Sequence, residues 1–230
     1  MEFSPAEIVA IKLSLRVAIV ATLVSLPFGI AVALVLARGR FPGRTLLDGI
    51  VHLPLVLPPV VTGYLLLIGF GRRGPIGAFL EQTLGIVFAF RWTGAALACG
   101  VMGFPLLVRA IRLSIEAVDR RLEDAAASLG ARRIVVFATV TLPLIVPGLL
   151  AGAVLGFAKA LGEFGATITF VSNIPGETQT IPSAIYTALQ VPGAGDAALR
   201  LSVVSILISL GALLLSEVLA RRMRNGRAIV

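Results

Sequence analysis

From Ile134 to Val171 the chain runs for thirty-eight residues with only two charged side chains, Lys159 and Glu163. As one straight helix this run would be about 57 Å long at roughly 1.5 Å per residue. The hydrocarbon core of a bilayer is only ~30 Å thick. A segment this apolar belongs in lipid, and one this long has to bend, re-enter or project. Apolar runs at about 10–37, 48–70, 92–115 and 201–220 make 134–171 the fourth of five. Over the 230 residues, 57% are hydrophobic and 14% charged, against about 45–50% and ~25% in soluble domains. The expectation is an all-α integral membrane protein, a single domain over 1–230 with about five transmembrane helices, six being possible.

The runs differ in their punctuation. The first carries Pro27 in its middle. The N-terminus before it lacks a basic segment and a small-residue cleavage site, so this run reads as a retained span. The second contains Pro54, Pro58 and Pro59, which make a straight helix untenable. Two readings stay open there: a kinked packing helix, or a bent helix lining a pathway. Residues 71–91 hold several glycines with Glu81 and Arg91, which suits an interfacial helix. Trp92 opens the third span at the interface where Trp concentrates. Residues 172–200 are polar and rich in Gly and Pro.

A net charge of +8 would suggest nucleic acid in a soluble protein. Here the arginines flank apolar runs, and their placement speaks of topology. With 109–133 in the cytoplasm, thirteen basic residues fall inside and six outside. The positive-inside rule then puts the N-terminus outside and the C-terminus in the cytoplasm. A single Cys99 and a single His52 offer neither an intrachain disulfide nor a Cys/His metal site. Neither lysine is followed by Ser or Thr, so no phosphate-binding loop of the G-x4-G-K-[ST] type is present. No Ser/His/Asp arrangement stands out. The expectation is a chain with no catalytic site and no cofactor of its own.

Two polar stretches interrupt this pattern. Arg120 to Ala131 reads as a short helix outside the lipid, with acids at its front, alanines along it and Gly130 at its end. Lys159 and Glu163 are four apart, the spacing of a pair on one helix face. Charges inside an apolar segment face the bundle interior or a watery cavity. An internal salt bridge that orients helices and a gate near the outer mouth both fit. Gly162 and Gly165 beside the pair permit a bend or a close helix contact.

From Asp124 the chain reads D-A-A-x3-G-x9-V-x-L-P, through Ala125, Ala126, Gly130, Leu142 and Pro143. This resembles the E-A-A-x3-G-x9-I-x-L-P loop of ABC importer permeases. It departs by having Asp124 for Glu, with Glu123 just before it, and Val140 for Ile. Residues 159–189, KALGEFGATITFVSNIPGETQTIPSAIYTAL, resemble the permeases of molybdate importers within the molybdate, tungstate and sulfate group. That family more often has Arg where Lys159 stands.

The resemblance implies an ABC importer permease fold in the cytoplasmic membrane. It implies a homodimer, with two ATPase subunits that bind ATP and Mg2+ and a periplasmic or extracellular oxyanion-binding protein. Molybdate would be the cargo, with no role for nucleic acid. Tungstate or sulfate/thiosulfate transport is the nearer alternative, and an ATP-independent secondary anion transporter the more distant one. The resemblance assigns Glu123, Asp124, Ala125, Ala126, Gly130, Leu142 and Pro143 to the coupling of permease and ATPase. Lys159, Glu163, Gly162 and Gly165 become candidates for a pathway or gate.

Overall fold

The computed structural model describes residues 3–225, with side chains as far as Val218. The basic cluster at 221–230, which counted toward the orientation, lies outside the described side chains. The described residues form eleven α-helices and no strand. They are α1 (Pro5–Arg38), α2 (Arg44–Val56), α3 (Pro59–Phe70), α4 (Pro75–Leu84), α5 (Trp92–Glu116) and α6 (Arg120–Ser128), followed by α7 (Arg133–Val136). A π-helical turn, Phe137–Thr141, leads into α8 (Leu142–Leu161). The chain continues through α9 (Gly165–Val171), α10 (Ile181–Leu189) and α11 (Gly195–Asn225).

Four helical stretches are long and apolar enough to cross a membrane: α1, α5, the run from Arg133 to Leu161, and α11. The fifth crossing is broken. Helices α2 and α3 pass the same test together but meet at a bend of 113°. Neither Pro58 nor Pro59 has an amide hydrogen to continue the ladder. Asp48 of α2 pairs with Arg112 near the end of α5. Phe70, which ends α3, packs edge-on against Phe88, just ahead of the start of α5. The two halves therefore reach opposite ends of α5, as a broken span does. Pro27, by contrast, is accommodated within one continuous α1.

Helix α1 begins five residues earlier than hydropathy placed it, because Ser4 caps it. The Ser4 hydroxyl accepts from the Glu7 amide and the Glu7 carboxylate accepts from the Ser4 amide, a reciprocal box. Helix α10 was not anticipated in the Gly/Pro-rich stretch. Its signature, Thr180 at the cap and Pro182 in the first turn, is a helix start.

The centre of the fold is the antiparallel pair α5 and α8. Gly148, Gly152, Gly156 and Ala160 recur every four residues and are all buried. A Cβ at Gly148 would strike the side chain of Ser114, and one at Gly152 would lie 3.1 Å from the Leu107 carbonyl. Gly103 sits 3.2 Å, measured the same way, from the Gly156 carbonyl. Small residues at this period let two helices approach closely where lipid offers no hydrophobic drive. One apolar cluster, with Val17, Ala95, Met102, Phe170 and Leu161, fills the end near the start of α5. A second, with Leu36, Leu107, Ile111 and Ile145, fills the other end.

Polar ties hold each end. At the first, Arg200 of α11 binds the buried Glu7 at 2.9 Å. There the Ile181 amide donates to Ser14 Oγ, and the Arg16 guanidinium lies 3.7 Å above the Trp92 ring. At the second, Arg112 bridges Asp48 and Glu116, and Arg38 reaches Glu123.

Replacing Gly152 with Leu overfills the α5–α8 seam, a change that costs about 1–3 kcal/mol in packed interiors. Thermal unfolding in detergent should show a lower midpoint for Gly152→Leu than for Gly211→Leu, whose site opens onto free space. Equal midpoints would mean that the seam does not carry the fold.

Candidate functional site

Two places combine polar groups with an interrupted helix. The first is the break between α8 and α9. The helix ends at Leu161, with Gly162 as its cap residue, and resumes at Gly165. Lys159 and Glu163 therefore do not share a continuous helix face, as their spacing suggested. Lys159 is in the last turn of α8, and Glu163 is in the break. They still pair, with Lys159 Nζ donating to Glu163 Oε2 at 2.7 Å. The second carboxylate oxygen accepts from the Ala166 amide at 2.9 Å. Glu163 thus caps α9 and neutralises Lys159 at once. Its side chain is 1% exposed and that of Lys159 30%.

The groups freed by the break are taken up nearby. The Ala160 carbonyl accepts from the Glu163 amide and from Cys99 Sγ. The Thr167 hydroxyl donates to the Glu163 carbonyl at 3.3 Å. In lipid this is a requirement, since no water is present to satisfy an open backbone. The Phe164 ring leans on Tyr186 of α10, with centroids 5.1 Å apart.

The break in α8–α9 lies against the break in α2–α3. A Cβ on Gly165 would be 2.7 Å from Pro59 Cβ, and one on Gly63 would enter the Ala166 backbone. Two interrupted helices thus cross at their interruptions, with backbone against backbone. Thr62, beside Gly63, is buried with its hydroxyl unpartnered. Of the two glycines singled out earlier, Gly165 is sterically required. Gly162 has room for a side chain, its nearest neighbour being the Ala158 carbonyl at 3.7 Å.

The second place is α6, at the far end of α8. Asp119 caps it by accepting from the Arg121 amide at 2.9 Å. None of its residues is buried. Leu122, Leu129 and Ile134 are exposed beside it. The helix stops at Ser128, three residues short of the expected 131. Gly130 has φ +86 and nothing within reach of a Cβ, so a side chain there meets backbone strain and no clash. Asp124 and Ala125 face outward and Ala126 is half-buried.

Glu123 points the other way. One of its oxygens accepts from Thr141 Oγ1 at 2.7 Å, and its carboxylate pairs with Arg38 at 3.2 Å. Arg38 also donates to the Val118 carbonyl at 3.3 Å. Leu142 packs against the second apolar cluster, and Pro143 lies in the first turn of α8. These two therefore belong to the start of α8.

Sequence reasoning missed Gly63, Cys99, Thr167, Arg38 and Thr141 as members of these sites. Each is a common residue whose role appears only when distant helices meet. The four-residue stripe from Gly148 to Ala160 was legible and was passed over.

Comparison with known proteins came to the following. Residues 25–225 match the family described as binding-protein-dependent transport system inner membrane component. The molybdenum transport system permease protein ModB of Escherichia coli K12 is 61% identical over 220 residues, 95% of this chain and 96% of that one. The sulfate transport system permease protein CysT of Salmonella typhimurium is 36% identical over 99% of this chain and 80% of its own length. Among solved structures, a bacterial ABC transporter that imports the acidic polysaccharide alginate superposes with a TM-score of 0.74 at 22% identity. That match covers 96% of this chain and 80% of the other, and it establishes the likeness of fold.

The crossing sets an order among glycine variants. Gly63→Val should push α3 off α9 and abolish function in whatever assay reads this site. Gly162→Ala should be tolerated, since its Cβ has space. Activity that survives Gly63→Val and is lost with Gly162→Ala would contradict the crossing geometry.

Proposed function

The chain belongs to the family of binding-protein-dependent transport system inner membrane components, and we propose that within it this protein is the membrane-spanning subunit of an ATP-driven molybdate importer. The near full-length 61% identity to a molybdenum permease, against 36% to a sulfate permease, favours molybdate over sulfate. Tungstate, of similar shape and charge, is the second reading.

The observation that carries the mechanism is α6. A capped helix with no buried residue, held only along one edge, is built to meet a partner. Its exposed alanines leave room for that partner to come close. The partner is an ABC ATPase, which binds ATP and Mg2+ and performs the hydrolysis; this chain catalyses no chemical step. Two copies of the chain, two ATPases and an oxyanion-binding protein form the working complex. Helix α6 lies in the cytoplasm, and the crossing of the two breaks lies toward the outer side.

The permease is then a two-state element biased from both ends. ATP binding draws the ATPases together and displaces the two α6 helices. Helix α8, with twenty residues and thus about 30 Å long, carries the displacement to Lys159 and the crossing. There the backbones of α3 and α9 separate or close as rigid pieces, because each is a separate helix that starts at its own break. The crossing itself is made of Pro59, Gly63, Gly165 and Ala166 and offers a dianion no arginine fork. A pathway that bound its cargo tightly would retain it. Lys159, already paired, cannot grip an oxyanion in two places as an arginine could. Selection among oxyanions accordingly falls mainly to the binding protein.

The complex in proteoliposomes tests the cargo. Molybdate-loaded binding protein should stimulate ATP hydrolysis and accumulate molybdate inside, and sulfate-loaded protein should do neither. Stimulation by sulfate alone would overturn the molybdate assignment. Orientation is tested in right-side-out cells, where Cys99 is buried and silent. A cysteine at Gly176 should react with an impermeant reagent and one at Ser128 only after permeabilisation; the reverse pattern would invert the topology.

A further inference from the structure

The segment that joins α6 to the membrane helices is thin. Helix α6 packs mainly against α7 and the π turn at 137–141. It buries no side chain of its own. Its polar link to the transmembrane bundle is the Glu123 carboxylate. That carboxylate is held by Thr141 Oγ1 at 2.7 Å and by the Arg38 guanidinium at 3.2 Å. Thr141 is buried and immediately precedes α8, and Arg38 is the last residue of α1. Arg38 is itself fixed by the Val118 carbonyl, just ahead of α6. The end of α1 and the start of α8 therefore converge on one carboxylate of α6.

We propose that Glu123 is a positioning residue of the permease and not part of its ATPase-facing surface. It clamps α6 to the ends of α1 and α8, and through Thr141 it delivers the movement of α6 to α8. This rests on the reading of α6 as the helix that meets the ATPase. The charge and the two-sided hydrogen bonding suit the task. A charge-assisted bond is stronger than a neutral one, and Glu123 makes one on the α1 side while accepting from Thr141 on the α8 side. The adjoining π turn supplies the compliance. Such turns interrupt the α-helical ladder and recur at functional sites, so α7 can tilt with α6 while α8 stays straight. Asp124 and Ala125, on the outward side of the same helix, are left to make the contact with the ATPase. Neighbouring residues of one motif thus divide into a face that receives force and a face that passes it on.

The division predicts two separable phenotypes in the reconstituted complex. Thr141→Val and Glu123→Leu should each lower the molybdate imported per ATP hydrolysed by about fivefold or more. The affinity of the ATPase for the permease should stay within about twofold of wild type. Thr141→Ser, which keeps the hydroxyl, should restore the import ratio. The Thr141→Val, Glu123→Leu double variant should be no worse than the poorer single one, since both break one link. Ala125→Trp, on the outward side of α6, should instead weaken ATPase affinity. The proposal is overturned if Glu123→Leu loosens the ATPase as Ala125→Trp does and the assembled fraction imports at the normal ratio. It is also overturned if Thr141→Val imports normally. Wild-type import that ignores ATP would overturn the importer assignment itself, and is read in the same assay before any variant.

Discussion

A membrane helix that is interrupted has to supply its own hydrogen-bond partners, and the Glu163 carboxylate does so between Leu161 and Gly165. It caps the new helix through the Ala166 amide and is balanced by Lys159 at 2.7 Å. Without a carboxylate there, the Ala166 amide would be buried without an acceptor. Without Lys159, the carboxylate would be a buried charge lacking its counter-ion, a situation that costs roughly 3–5 kcal/mol in buried pairs. The pair is therefore the condition on which the break exists. The break in turn allows Gly165 to lie against Pro59 and Gly63 against Ala166.

The rest of the fold puts that crossing at one end of a stiff rod and the exposed helix α6 at the other. The rod is α8, seated against α5 through Gly148, Gly152, Gly156 and Ala160. This close seating explains how so apolar a core holds its register, because backbone contact leaves little room for sliding. At the opposite end, α6 exposes its alanines while Glu123 grips Arg38 and Thr141. An importer permease needs these parts: an ATPase contact, a transmitter and a gate. In the proposed mechanism these are α6, α8 and the crossing.

Much of this was legible before any coordinates. Hydropathy located the long apolar helices, and the excess length of 134–171 required a bend that the break at Gly162–Phe164 provides. Three prolines foretold the broken second span. The 122–143 motif and the 159–189 run pointed to the family. Other features were hidden for physical reasons. A four-residue spacing signals a shared helix face only if the helix continues, and between Lys159 and Glu163 it does not. Glu123 and Asp124 are adjacent and equally acidic, so no pattern separates the inward side chain from the outward one. The start of α10 was masked by the Gly/Pro content around it, although Thr180 and Pro182 marked it. Gly63, Cys99 and Thr167 acquire roles only from neighbours on other helices, which no local pattern encodes.

The central claim is that Lys159 and Glu163 act as one unit that holds the outer crossing shut until ATP and the loaded binding protein open it. A double-mutant cycle on Lys159→Met and Glu163→Gln tests it directly, with uptake and binding-protein-independent ATP hydrolysis read in the same proteoliposomes. Gln at 163 keeps the acceptor for the Ala166 amide and removes only the charge. Each single variant should lose more uptake than the double, because only the singles leave an unbalanced group. The double variant should also hydrolyse ATP with weaker dependence on loaded binding protein. Strictly additive losses of uptake, with hydrolysis still fully dependent on the binding protein, would contradict the account.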